Sequence, residues 1–298
     1  MECKKILLGI TCAISTFAAA AQDPLLRSLS DSLVAAKRIE YVTGTFKALY
    51  VVNMKTIEAP GTAALNVEFQ HRFGTLNSGA YNLFGLDFAT LRLSLDYGIS
   101  NRLSVGVGRS SYLQTFDGYL KYKLIRQSTG SKECPFSLSL LGTSDYYTHH
   151  FFGKDSIPNN IYRLNYTAQL LIARKFSPVF SLELTPTLIH YNLVPTVADH
   201  NNVMALAGGA RMKITKRMAL TAEYNYLFPN QLISIPHHNS FSLGWDIETG
   251  GHVFQLIFTN SVSMNEPQYI GQTVDSWGNG GIYFGFNLSR NFSLKTHH

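Results

Sequence analysis

The sequence predicts an all-β protein, a transmembrane antiparallel β-barrel of about 12 strands with a short helical segment ahead of it. Three observations predict this. Apolar and polar residues alternate with period two along nearly all of the chain after residue 62, as where Phe241, Leu243, Trp245 and Ile247 interleave with Ser242, Gly244, Asp246 and Glu248. Aromatic residues are abundant, 16 Tyr and 19 Phe among 298 residues, and gather near the ends of the alternating runs, where a barrel carries its interfacial girdles. The mean hydropathy is zero and no run reaches the roughly 20 apolar residues of a membrane helix. A chain of this kind crosses a bilayer only as a closed barrel, which pairs every backbone group.

Residues 1–21 read as a secretory signal peptide: Lys4 and Lys5, then the apolar stretch from Ile6 to Phe17, then Ala18 to Ala21. A lipoprotein reading on Cys12 lacks the Leu and small residues expected before a lipidated cysteine. Without this segment Cys134 is the one cysteine left of three, and the net charge falls from +6 to +5. No intrachain disulfide is then possible, and Cys134, in the turn-like Gly130-Ser131-Lys132-Glu133-Cys134-Pro135, reads as an incidental thiol. The charge is too small and dispersed for a nucleic-acid partner. Residues 22–62 are expected in the periplasm or tucked into the lumen. Asp23-Pro24 opens a short amphipathic helix carrying Leu25, Leu26, Leu29, Leu33 and Val34, and 41–52 alternates imperfectly as an extended segment before the break at Pro60-Gly61.

Residues 63–298 form the expected barrel, with strands at 65–73, 86–97, 102–112, 116–126, 136–147, 162–174, 180–191, 203–214, 218–228, 240–248, 253–263 and 282–292. Their connections alternate between short and long, the short turns periplasmic and the long loops outside. The last long loop, 264–281, makes the final strand run inward, and counting back 12 strands starts the first in the periplasm as well. Ile282, Phe284, Phe286, Leu288 and Phe292 resemble the terminal strand by which insertion machinery recognises such barrels. Outer-membrane lipid and that machinery are therefore the expected partners.

Strand parity turns Glu68, Arg72, Arg92, Asp96, Asp117, Lys121, Lys123, Arg163, Glu183, Arg211, Lys213, Glu223, Asp246 and Glu248 toward the lumen. Such charges on the lipid face would cost about 2–4 kcal/mol each for Lys or Arg at midplane. Seven cations and seven anions can close a narrow lumen by pairing, or line a water-filled path that selects a solute. The functional expectation is a passive or substrate-specific pore for small solutes. The alternative is a non-transporting structural or surface-binding barrel with a closed lumen, whose loops meet an unknown ligand.

No catalytic residue, cofactor or metal site is assigned. His149, His150, His190, His200, His237 and His238 fall in or beside the long loops but lack the spacing of metal ligands with Cys or carboxylate. A lipase-like enzyme would need a Ser/His pair at the rim. His190 lies on the outward parity there, and no partner such as Ser110 or Ser111 can be paired with it from sequence. No Gly-x-Ser-x-Gly, phosphate loop or zinc motif is present.

Several stretches carry a more specific resemblance: Phe69-Gln70-His71-Arg72-Phe73-Gly74, Leu95-Asp96-Tyr97-Gly98-Ile99, Gly106-Val107-Gly108-Arg109-Ser110-Ser111, Asp117-Gly118-Tyr119-Leu120-Lys121-Tyr122, Leu171-Ile172-Ala173-Arg174-Lys175-Phe176 and Asp246-Ile247-Glu248-Thr249-Gly250-Gly251-His252. From about Tyr41 to Leu294 the chain resembles an uncharacterised family of outer-membrane β-barrel proteins, typical of Bacteroidota and known as a domain of unknown function. The resemblance implies a barrel in the outer membrane and brings no catalytic or ligand residues. Val52-Asn53-Met54 departs from the Asn-Gly-His associated with that family, within the N-terminal segment.

Overall fold

The computed structural model describes residues 26–32, 38–149, 159–234 and 236–294. The signal peptide assigned to 1–21 lies outside the described residues. The chain divides into two compact units. The smaller comprises the residues up to Val42 together with 127–135. Within it, 26–32 is helical and exposed (α1), and a two-stranded sheet pairs β1 (Ile39–Tyr41) with β6 (Ser128–Gly130). Cys134 faces Ser128 there across an isolated bridge.

The larger unit is a closed antiparallel barrel. Its wall strands are β2 (Ala64–Thr75), β3 (Thr90–Gly98), β4 (Leu103–Ser110), β5 (Thr115–Ile125), β7 (Ser137–Tyr147), β8 (Leu164–Lys175), β9 (Phe180–Tyr191), β10 (Asn202–Lys213), β11 (Met218–Leu227), β12 (Ser240–Thr249), β13 (His252–Thr259) and β14 (Tyr283–Ser293). Each pairs with its neighbour along this order, and β14 pairs back on β2, so no edge is left open to lipid. Two boundaries differ from expectation by four residues, the others by two at most. The strand expected from 86 begins at Thr90, because 76–78 and 80–85 coil into 3-10 turns, and the strand expected to reach 263 ends at Thr259.

Alternation sorts the side chains as period two requires. Leu91, Leu93 and Leu95 of β3 are exposed on the outside, whereas Arg92, Ser94 and Asp96 between them are buried inside. Arginines on the outer surface sit near strand ends with their guanidinium groups over rings, Arg109 on Phe116 at 4.5 Å and Arg290 on Phe292 at 4.7 Å. One further helix, α2 (Glu266–Gly271), lies in the longest loop. All six of its residues are buried, with Pro267 at the start, where a missing N–H costs nothing.

Candidate functional site: an occupied lumen

The lumen is occupied by the chain itself. Residues 43–62 enter from the short-turn end, fold into a hairpin and return to β2. Tyr50 pairs with Lys55 across the hairpin, and the amide of Val51 donates to the carbonyl of Met54 at 2.9 Å. At the return, Gly98 is required. A Cβ there would lie 2.0 Å from the carbonyl oxygen of Gly61, so only glycine lets the two backbones pass.

The hairpin meets two kinds of wall. From β11 round to β5 the lining is polar, and its side chains, joined by Glu183 of β9, take up the backbone groups that a two-stranded hairpin leaves unpaired. Oε2 of Glu223 accepts from three consecutive amides, those of Val52, Asn53 and Met54, at 3.1, 2.8 and 2.9 Å. Such a nest of N–H groups is an anion site built from backbone. Asn287 donates to the carbonyl of Val52 at 3.0 Å and Gln255 to that of Val51 at 3.0 Å. Arg72 donates to Asn53 Oδ1 at 2.9 Å, and Arg92 to the Tyr50 hydroxyl at 3.2 Å. Glu183 on β9 accepts from the amide of Ile57 at 2.7 Å, and Lys121 donates to the carbonyls of Thr56 and Glu58.

Between β7 and β10, and at Leu227 of β11, an apolar cluster is set among polar side chains such as Ser139, Asn165, Gln169 and Thr185. Leu141, Leu171, Ile189, Val203, Ala205, Ala207 and Leu227 form one buried cluster with Phe46, Val51, Met54 and Ile57 of the hairpin and Tyr269 and Ile270 of α2. Gly209 on β10 makes room for the tip. A Cβ there would come within 2.9 Å of Val51 Cγ2 and 3.2 Å of Met54 Cε.

The hairpin tip and α2 meet at one buried ion pair. Nζ of Lys55 lies 2.8 Å from Oε1 of Glu266, with side-chain exposures of 4% and 2%. The same ammonium lies over the rings of Tyr50 at 5.2 Å and Tyr119 at 5.0 Å. Around it, α2 is tied to the wall. Asn265 donates to Asp145 Oδ1 at 2.9 Å, Gln268 to Thr115 Oγ1 at 2.8 Å, and the Tyr191 hydroxyl to the carbonyl of Pro267 at 2.5 Å.

Most of the charges assigned to the lumen by parity therefore hold the hairpin or one another. Arg92 grips Asp117 with two contacts, at 3.0 and 2.6 Å. Arg211 pairs with Glu248 at 2.7 Å and Asp246 at 3.7 Å. Glu68 and Asp96 share the amide of Asn66, at 3.4 and 3.2 Å. Lys123 and Lys213 are half-buried toward the short-turn end. Arg163 corrects the expectation. It lies in the 3-10 turn Asn160–Arg163 before β8, at the long-loop end, and donates to the carbonyls of Tyr147 and His149 at 3.0 and 2.7 Å. Parity had been extended one residue past the strand, where alternation no longer holds.

The even balance of charges is also corrected. Buried on the wall strands and α2 are the carboxylates of Glu68, Asp96, Asp117, Asp145, Glu183, Glu223, Asp246 and Glu266, against the cations Arg72, Arg92, Lys121 and Arg211. Asp145 sits on the inward parity of β7 and was missed among the Ser, Thr and Leu around it. Glu266 was missed because it lies in a loop; Asn265-Glu266-Pro267, a helix-start pattern, was the available signal.

The loop histidines do not assemble a site. Among the described residues no group of three His, Cys, Asp or Glu converges as metal ligands, and His150 lies outside them. Both ring nitrogens of His190 contact amide oxygens, Asn202 at 2.8 Å and Asn192 at 3.1 Å. Ser110 and Ser111 stand at the end of β4, four strands round the barrel from the β9 of His190. Burial beneath the outer loops lowers the pKa of His237, whose Nε2 contacts the carbonyl of Ile270 at 2.9 Å.

These features define a membrane-spanning β-barrel with an internal plug. The chain belongs to the family of membrane-bound β-barrel domains DUF5777, matched over residues 46–292, a span that includes most of the hairpin. Closed antiparallel barrels of even strand number are the architecture of the bacterial outer membrane. No curated protein sequence matches the chain. Among solved structures it is similar to the NanC porin, at 8% identity over 77% of this chain and 100% of that one, with a TM-score of 0.49. It is similar also to the KdgM porin, at 10% identity over 77% and 99% with a TM-score of 0.46. A third is the COG4313 outer membrane channel from Pseudomonas putida F1, at 14% identity over 79% and 97% with a TM-score of 0.46.

Proposed function

We propose that the protein is an outer-membrane transport barrel for small solutes, shut in this conformation by its N-terminal hairpin and by α2. The observation that carries this reading is the polar wall from β11 round to β5. Small barrels that need only stability fill their interior with side chains from the wall itself. Here a separate segment fills it, meeting Glu223, Gln255 and Asn287 through backbone groups that water could replace. The hairpin is nonetheless firmly seated. Burial of Phe46, Val51, Met54 and Ile57 contributes about 1.5–3 kcal/mol each, so opening needs a solute or partner that prefers the open state.

The apolar cluster that seats the hairpin favours a second reading, a structural or surface-binding barrel that never opens. Planar-bilayer conductance separates the two. The wild type is expected to be quiet, with rare openings, and Glu223→Ala, which removes the acceptor of three hairpin amides, to give frequent stable steps. Silence of both proteins, each migrating as a folded heat-modifiable barrel, would favour the second reading.

A further inference from the structure

The surroundings of Lys55 point to a ligand. Its ammonium is bound as a guest would be, with a carboxylate at 2.8 Å and two aromatic rings at 5.2 and 5.0 Å, all but sealed from solvent. Of the groups around it only Tyr50 travels with the hairpin; Glu266 belongs to the loop helix and Tyr119 to the wall. We propose that Glu266 and Tyr119 form a binding site for a primary ammonium group, filled here by the chain's own Lys55, and that the solute admitted when the hairpin leaves is an organic cation bearing such a group. This rests on the reading of the hairpin as a removable plug.

The charge distribution supports it independently. With the hairpin in place Lys55 offsets part of the lumen's negative charge. Without it, nine carboxylates on the wall and α2, counting half-buried Glu248, face six cations, counting half-buried Lys123 and Lys213. Such an interior concentrates cations and repels anions, while neutral solutes gain nothing from it. The contact with Glu266 is a hydrogen bond, which a quaternary ammonium cannot donate.

The test is chemical rescue. Lys55→Ala removes the side chain beyond Cβ, a space that n-propylammonium matches atom for atom. The readout is the temperature at which the purified barrel loses its compact gel mobility. A saturable rise with n-propylammonium chloride in Lys55→Ala is expected. No rise is expected with sodium chloride at equal ionic strength, with 1-propanol or with tetramethylammonium, and none in Lys55→Met, where the space is filled. An equal rise with sodium or propanol, an equal rise in Lys55→Met, or no saturable response would overturn the proposal.

If Lys55→Ala assembles neither with nor without amine, Lys55→Cys in a Cys134→Ser background decides. The unfolded chain is labelled with 2-aminoethyl methanethiosulfonate or with its neutral ethyl analogue and then refolded. Preferential refolding of the aminoethyl form supports the site, and equal refolding removes it. Amine rescue in a protein that never conducts would leave the site standing and remove transport. Conductance on hairpin release without any amine response would keep the gate and remove the ammonium specificity.

Discussion

Glu223 in the lumen and Asp199 in the outer loops do similar work. Glu223 is fully buried and holds three hairpin amides on one oxygen. Each amide stranded without a partner costs about 1–3 kcal/mol, so Glu223→Ala should free the hairpin while the wall, paired strand to strand, persists. Trypsin cleavage after Lys55, blocked in the wild type by burial, should become rapid in the variant, and unchanged protection would refute the role. Glu223→Gln keeps an acceptor and should lie between the two. Asp199 lies in the outer loops and accepts from Thr196, Ile233 and Ser234, joining the loop after β9 to the loop after β11. The Ser234 hydroxyl, followed by the backbone amides, holds its carboxyl well below the usual carboxylate range. A depressed acid of this kind contributes stability that is complete above its unfolded pKa, about 4, and is lost as pH falls through the folded value. Proteolysis of these two loops should therefore accelerate on acidification below about pH 4 in the wild type, and Asp199→Asn should show the faster rate already at neutral pH. Rates that match in wild type and variant at pH 7 would contradict this.

At the scale of elements, the wall was legible, while the plug was legible only as one of two placements for residues 22–62. Strands expected at 136–147 and 180–191 appear as Ser137–Tyr147 and Phe180–Tyr191, because one face meets lipid and the other the lumen and the period of two survives. Residues 48–54, Ala-Leu-Tyr-Val-Val-Asn-Met, are buried on every side, and a segment with no solvent face has no reason to alternate. The imperfect alternation of the extended segment 41–52 reflects the burial of 48–52 on both faces. The apolar cluster was obscured for a related reason. On β10 both faces are apolar, Val203 and Ala205 inside and Met204 and Leu206 outside, so only the neighbouring charges betray the parity. The closing strand carries its own prediction. β14 pairs with β13 on one side and β2 on the other. Deleting residues 286–298 removes both seams and opens two edges that lipid cannot satisfy. That truncation should stay unfolded in the periplasm, and its normal display at the cell surface would show that β14 is dispensable.

For the molecule as a whole, polar side chains of the lumen fix the hairpin's register, and one apolar cluster fixes its depth. Sequence alone supplied the barrel and the inward charges, but not what those charges hold, since contacts between Glu223 and residues 52–54 join positions about 170 apart in the chain. The central claim is that any path through this barrel is closed by the hairpin. Gly209 offers a way to lock it, because a Cβ there would lie 2.9 Å from Val51 Cγ2, within reach of a disulfide. Val51→Cys with Gly209→Cys, made in a Glu223→Ala, Cys134→Ser background, gives one protein that can be locked and released by redox state. Single-channel conductance in planar bilayers should be absent in the oxidised form and appear, cation-selective, on reduction. Equal conductance in the two states would mean that ions pass without moving the hairpin, and the account of the lumen as a plugged pathway would be wrong.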